Sequence, residues 1–146
     1  MSMRSFAYFD TSTWIKLYIH ESGSEQARVL AKKHSIVSSA ILLTESFSAL
    51  RRKRDVKEID AMMVERLTRL MKEDAGLVQI VVASGAVLEK SEHIVLNSTA
   101  RTLDAIHIAS AMVFENGIEA PVLFVTSDRN QFQAAQSQRL NAVLVS

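Results

Sequence analysis

The chain has 146 residues, 48% of them apolar, which predicts one globular domain over residues 1–146 and excludes an intrinsically disordered chain. The formal net charge of +1 excludes a uniformly basic or acidic surface, so any nucleic-acid contact would need a local basic cluster. Cysteine is absent, which excludes disulfides and thiolate metal sites, and no apolar run approaches the roughly 18 residues of a membrane span, so we expect a cytoplasmic protein with no membrane partner.

Short apolar runs alternate with longer amphipathic stretches along the whole chain. The short runs predict strands over residues 6–9, 36–38, 77–82, 122–125 and 142–145. The longer stretches predict helices over residues 11–19, 22–33, 40–54, 57–73, 85–97, 102–116 and 128–139. Ser22 and Glu25 form a capping-box pattern, and Thr102 and Gly117 are the expected cap and end of the sixth helix. This alternation predicts an α/β fold with a central, mostly parallel sheet of four to five short strands flanked by helices.

Four carboxylates stand at positions that a buried apolar core does not require. Asp10 and Asp128 each follow a predicted strand, whereas Glu45 and Asp104 lie in early turns of largely apolar helices. Each has an ordinary structural explanation: Asp10 and Asp128 as helix N-caps, Asp104 as a first-turn acid, and Glu45 as a rim residue.

Taken together, the four acids favour a shared site. Parallel sheets bind ligands at the carboxyl ends of their strands, and all four positions can point to that end. Crowded carboxylates repel one another unless a divalent cation neutralises them. A set of oxygen ligands without cysteine favours Mg²⁺ or Mn²⁺ over Zn²⁺.

Four segments of the chain, in this order, resemble the motifs of PIN-domain nucleases, especially VapC-type toxins. They are FDTSTWIKLY at 9–18, TESFSALRR at 44–52, LDAIHIASA at 103–111 and FVTSDRNQ at 124–131. The resemblance runs from about residue 6 to residue 145. It implies a PIN-like three-layer fold and an endoribonuclease dependent on Mg²⁺ or Mn²⁺, with one or two metal ions.

By match of motif, the resemblance implies that Asp10, Glu45, Asp104 and Asp128 hold the metal, directly or through water, and form the catalytic centre. Ser12 and Thr126 match positions that support this site in the family. Hydrolysis by in-line attack of water would leave a 5′-phosphate and a 3′-hydroxyl. The resemblance further implies a homodimer whose toxic activity is held in check by a cognate antitoxin protein.

Three other sequence features each have a structural and a functional interpretation. The run Arg51, Arg52, Lys53 and Arg54 is either a grip on RNA phosphates or a solvated helix end. We expect His107 to be a packing residue, the alternative being contact with Asp104 or a phosphate. We expect the methionine-rich stripe over residues 59–71 to be core, the alternative being a groove for a partner helix.

Two other functions compete with a ribonuclease toxin. One is a metal-dependent phosphatase, in which an aspartate after the first strand accepts the phosphate. That class usually has a second aspartate two residues later, where this chain has Ser12. The other is a non-catalytic PIN-like interaction domain, which the presence of all four acids disfavours.

Overall fold

The computed structural model describes residues 5–146, which form five strands and seven helices. The strands are β1 Phe6–Phe9, β2 Ser35–Ser39, β3 Gln79–Val81, β4 Leu123–Thr126 and β5 Asn141–Leu144. The helices are α1 Thr11–Ile15, α2 Ser24–Lys33, α3 Leu42–Asp55, α4 Ala61–Ala75, α5 Gly85–Asn97, α6 Thr102–Ile118 and α7 Arg129–Ser137. Within the described part of the chain, no helix has both the length and the apolar character needed to cross a membrane.

The strands form one parallel sheet in the order β3-β2-β1-β4-β5, which confirms the predicted α/β fold. The chain runs outward from β1 to β3 on one side and from β4 to β5 on the other, so the strand order reverses between β1 and β4. Phe9 in β1 pairs with Val125 in β4, and the amide of Asp10 donates to the Val125 carbonyl at 3.1 Å. Parallel sheets bind ligands in the crevice that such a reversal opens.

Helices cover both faces of the sheet, and alternate residues of β1 supply apolar side chains to each face. Tyr8 packs with Phe124 and the α6 side chain Ile108 on one face, whereas Ala7 and Phe9 pack on the other. The Tyr8 and Phe124 rings are stacked, with centroids 5.4 Å apart. A third apolar cluster joins α1, α3 and α4. The predicted three-layer arrangement is therefore present.

The predicted capping box at the start of α2 is wrong. The helix begins at Ser24, and its N-cap is Gly23 in the left-handed region at φ 91°. A Cβ at Gly23 would lie 2.8 Å from Cγ1 of Val145, so the close approach of the last segment requires glycine. The Ser22 carbonyl instead accepts a hydrogen bond from the Lys16 ammonium at 2.7 Å.

The predicted boundaries of α6 also need correction. Thr102 is the first helical residue and not the cap, which is Arg101 and makes no side-chain capping bond. Gly117 lies inside the helix, which continues to Ile118 and ends at Glu119 in the left-handed conformation. A glycine inside a helix costs only about 1 kcal/mol relative to alanine, so Gly117 alone does not end α6.

Helix α4 buries only part of its predicted stripe. It begins at Ala61, after the N-cap Asp60, and not at residue 57. Leu67 and Met71 are buried, but Met62 is 79% exposed and Met63 and Leu70 are also exposed. The expectation that the whole stripe is core is therefore wrong for Met62 and Met63 in the first turn and for Leu70 further along the helix.

Candidate active site

A cavity of about 710 Å³ opens at the carboxyl ends of β1 and β4, where the strand order reverses. All four predicted acids line its wall: Asp10, Glu45, Asp104 and Asp128. An adjoining cavity shares the last three of these residues. Elements that are far apart in sequence thus bring the predicted carboxylates to one place, as the parallel topology requires.

Asp10 is both the N-cap of α1 and part of the cavity wall. Its Oδ1 accepts from the Thr13 amide at 2.9 Å, which is the capping bond. The Ser12 hydroxyl lies 2.8 Å from both carboxylate oxygens, and the Thr126 hydroxyl donates to Oδ2 at 2.6 Å. Burial raises the pKa of Asp10, whereas the charge of His107 and these hydrogen bonds lower it less than burial raises it.

Asp128 repeats this arrangement at the start of α7. Its Oδ1 accepts from the Gln131 amide at 3.0 Å, and its own amide donates to the Thr126 hydroxyl at 3.0 Å. Thr126 is fully buried. Its hydroxyl links the backbone at Asp128 to the Asp10 carboxylate, because it accepts from the first and donates to the second. Ser12 makes a similar link, because its hydroxyl accepts from the Ser127 amide at 3.1 Å.

Glu45 is held by two side chains that sequence reasoning did not assign to it. The Thr11 hydroxyl donates to its Oε1 at 2.7 Å, and Nε2 of His107 lies 2.6 Å from the same oxygen. Burial raises the pKa of Glu45, but the hydrogen bond and charge of His107, with a contribution from Thr11, bring it below its usual range. His107 is 2% exposed, as a packing residue would be, yet it contacts a predicted site residue.

Asp104 carries the least compensated charge of the four. No hydrogen bond from a side chain or amide in residues 5–146 reaches its carboxylate; only its backbone carbonyl accepts, from Gln131 at 3.3 Å. Partial burial raises the pKa of Asp104, and the negative charges of Asp128 and Asp10 raise it further. The cluster therefore contains mutual repulsion that the described protein groups do not cancel.

The chemistry of this donor set is compatible with a hard divalent cation. All four candidate ligands are carboxylates, and the charge at Asp104 faces other negative charges. Within residues 5–146, no three His, Asp or Glu side chains form a group that could hold a metal ion in their present arrangement. A cation here would therefore need some bridging waters or a rotation of side chains.

The structure divides the basic run at the end of α3 into two faces. Arg52 and Lys53 line the cavity. Arg51 and Arg54 lie outside its wall, where Nη1 of Arg51 is 2.8 Å and Nη2 of Arg54 is 3.5 Å from the Asp55 carboxylate. Because residues three and four apart share one side of a helix, Arg51, Arg54 and Asp55 face away together.

Sequence reasoning missed one further cation, Arg101, which is exposed and lines the adjoining cavity beside Asp104. Its position at the start of the same helix, three residues before Asp104, could have indicated that Arg101 lies near this acid. Each of the two cavities that share Glu45, Asp104 and Asp128 is thus lined by at least one basic side chain.

A search of curated proteins finds no match to this chain. The chain is similar to a solved structure described as a toxin-antitoxin complex from Klebsiella pneumoniae, with a TM-score of 0.63, 17% identity and coverage of 94% of this chain and 95% of that chain. It is also similar to VapBC2 from Rickettsia felis bound to a promoter DNA fragment, with a TM-score of 0.66, 14% identity and coverage of 97% and 99%. At these identities the likeness establishes the fold. The PIN domain profile matches residues 7–137, and the chain therefore belongs to the PIN domain family.

Proposed function

We propose that the chain is a metal-dependent endoribonuclease and the toxin of a toxin-antitoxin pair. The observation that carries the proposal is the convergence of Asp10, Glu45, Asp104 and Asp128 on one cavity at the reversal of strand order. Membership of the PIN domain family and the likeness to toxin-antitoxin structures support it. We place its action in the cytoplasm, where RNA is available.

In this proposal the four carboxylates hold Mg²⁺ or Mn²⁺, partly through water. When bound, the ion would supply the positive charge that an anionic phosphodiester requires and would lower the pKa of a water nucleophile. Ser12 and Thr126 fix the Asp10 carboxylate in one orientation through their hydrogen bonds. Hydrolysis would leave a 5′-phosphate and a 3′-hydroxyl.

The basic side chains of the cavity wall bind the RNA backbone in this proposal. Arg52 and Lys53 line the larger cavity and Arg101 lines the adjoining one. A strand that passes from one cavity to the other across the shared acids would meet a cation in each. Phosphate contacts of this kind position a strand without reading its sequence.

The antitoxin partner is proposed from the two toxin-antitoxin structures that share the fold. The exposed apolar side chains of α4, Met62, Met63 and Leu70, offer a surface that a partner helix could cover. We also propose a homodimer, because the resemblance to VapC-type toxins implies one.

The phosphatase alternative is less compatible with the sequence around Asp10. In that class a second aspartate usually stands two residues after the nucleophile, but here that position is Ser12. The Ser12 hydroxyl lies 2.8 Å from both oxygens of the Asp10 carboxylate and so supports Asp10 instead of supplying a second acid.

The test is cleavage of RNA by the purified chain in Mg²⁺ and in EDTA, beside an assay with a phosphate monoester. We expect the wild type to cleave RNA in Mg²⁺ but not in EDTA, and to leave the phosphate monoester intact. We expect Asp10→Asn to lose RNA cleavage in Mg²⁺. The matched control is Asp60→Asn, because Asp60 also caps a helix, by accepting from Met63 at 2.8 Å, but stands outside the cavity. Equal RNA cleavage by Asp10→Asn and Asp60→Asn would contradict the proposal.

A further inference from the structure

A chain of buried hydrogen bonds runs from the core of the sheet to the cavity wall. The Tyr8 hydroxyl lies 2.7 Å from Nδ1 of His107, and Nε2 of His107 lies 2.6 Å from Oε1 of Glu45. Tyr8 is fully buried and His107 is 2% exposed. The three residues come from β1, α6 and α3, so the chain joins three separate elements.

The chemistry of the groups fixes the direction of one of these bonds. An ionised carboxylate can only accept, so the proton between His107 and Glu45 belongs to Nε2. Nδ1 of a neutral ring accepts from the Tyr8 hydroxyl, whereas Nδ1–H of a protonated ring donates to it, and in both cases the bond holds the ring in one orientation. The Tyr8 ring is itself held by stacking on Phe124 and by an edge contact with the His107 ring at 5.7 Å.

Glu45 is bound at one oxygen only. Oε1 accepts from both His107 and Thr11, whereas no hydrogen bond from residues 5–146 reaches Oε2. A carboxylate pinned at one oxygen loses rotational freedom about its last bond and presents the other oxygen in a fixed direction. Since Glu45 lines the cavity, that oxygen is the one left for a ligand.

We infer that His107, locked in place by the Tyr8 hydroxyl, is a positioning residue that orients Glu45 so that its free oxygen faces the cavity. The inference rests on the proposed function, in which Glu45 helps to hold the cation. A role in packing alone would not explain it, because an apolar side chain would fill the same volume without two polar atoms that need partners.

The main test uses Tyr8→Phe, which removes one hydroxyl and keeps the ring. The matched control is Tyr18→Phe, since the Tyr18 hydroxyl donates to Asp74 at 2.6 Å and Tyr18 stands outside the cavity wall. Two readouts need no RNA: the tautomer of His107 by NMR of ¹⁵N-histidine-labelled, metal-free protein, and the affinity for Mn²⁺ by titration. The third is the separation of kcat from KM in RNA cleavage.

In the wild type we expect His107 to carry its proton on Nε2, with the hydrogen exchanging slowly. In Tyr8→Phe we expect the His107 ring to lose its fixed orientation, so that the Nε2 hydrogen exchanges faster, and Mn²⁺ affinity to fall by about 10- to 100-fold, the usual effect of losing a group that holds a ligand. We expect kcat to fall while KM for RNA stays the same, because phosphate binding by Arg52 and Lys53 is untouched. Tyr18→Phe should change none of these values.

A second pair of variants guards against a simple folding defect. His107→Gln offers an amide N–H in place of Nε2–H, whereas His107→Leu offers no donor. We expect His107→Gln to retain more Mn²⁺ affinity than His107→Leu at similar thermal stability.

Equal Mn²⁺ affinities in wild type, Tyr8→Phe and Tyr18→Phe would overturn the inference and leave the proposed function intact. A wild type that neither binds Mn²⁺ nor cleaves RNA would overturn the proposed function, and the role assigned to Glu45 with it.

Discussion

At the scale of single residues, Asp10 combines a helix cap with a place in the wall of the cavity. Its bond from the Thr13 amide is an ordinary helix cap, worth about 1 kcal/mol at other helices. The added bonds from Ser12 and Thr126 exceed what a cap needs and keep the charge in a 2% exposed position. Asp60 caps α4 without such partners and stands in solvent. The excess of donors, and not the cap, distinguishes Asp10 from an ordinary capping residue and supports its proposed role in the site.

The pKa of Asp10 leads to a pH-dependent prediction. Because burial raises the pKa, the folded chain holds a proton that the unfolded chain has already released, so the contribution of this group to stability falls as pH rises from the unfolded pKa to the raised folded pKa and is then constant. Asn carries no such charge. In EDTA, we expect the Tm of wild type minus that of Asp10→Asn to decrease as pH rises from about 4, the ordinary aspartate pKa, to about 7.

At pH 7, we expect Mg²⁺ to raise the Tm of the wild type above its value in EDTA, because the ion binds only the folded chain. The Tm of Asp10→Asn should be nearly the same in Mg²⁺ and in EDTA. Asp60→Asn, which changes a cap outside the cavity, should respond to Mg²⁺ as the wild type does. Wild-type and Asp10→Asn curves that stay parallel in EDTA would show that Asp10 titrates as it does in the unfolded chain.

At the scale of elements, the end of α3 shows how a helix sorts four consecutive cations. The side chains of Arg52 and Lys53 line the cavity, whereas Arg51 and Arg54 face Asp55 on the other side. The helical period alone predicts two faces. Which face meets the cavity depends on how α3 packs against α1 and α4, which the local sequence does not specify.

This sorting predicts different salt dependence for two double variants. In Ca²⁺, chosen to keep cleavage out of the binding measurement, Arg52→Gln with Lys53→Gln should bind single-stranded RNA more weakly. Its plot of log affinity against log salt should be shallower by about 0.7 for each lost phosphate contact. Arg51→Gln with Arg54→Gln removes the same charge and should keep the wild-type slope. Equal slopes in the two double variants would contradict the division of faces.

Helix α4 predicts a contrast between two identical substitutions. Met71 is fully buried, so Met71→Ala should lower the free energy of unfolding by about 2–5 kcal/mol. Met62 is 79% exposed, and Met62→Ala should change it by no more than about 0.5 kcal/mol. Urea unfolding of the two variants measures both values. A comparable loss in Met62→Ala would mean that this methionine is covered in solution, for example by a second copy of the chain.

At the scale of the whole molecule, the place of the cavity follows from the order of the strands. Parallel strands put every strand end with an acid on the same edge, and the reversal between β1 and β4 opens the crevice there. Alternation of short apolar runs and helices was enough to predict both the sheet and the position of Asp10 and Asp128 at its edge. Glu45 and Asp104 then had only one edge on which to meet them.

Other features depend on contacts between distant segments and were not predictable from local patterns. Gly23 replaces the expected Ser22 cap because Val145 approaches from the far end of the chain. The contact of His107 with Glu45 joins residues 62 positions apart, and no periodicity in either helix signals it. Long-range packing of this kind decides the details of the site after local patterns have decided the fold.

The central claim is that the four carboxylates form a divalent metal site. The most direct test is an anomalous difference map from crystals of the wild-type chain grown with Mn²⁺. We predict a peak in the cavity between Asp10, Glu45, Asp104 and Asp128, with some of these residues bound through water. A map from a Mn²⁺-containing crystal with an open cavity and no peak there would contradict the account.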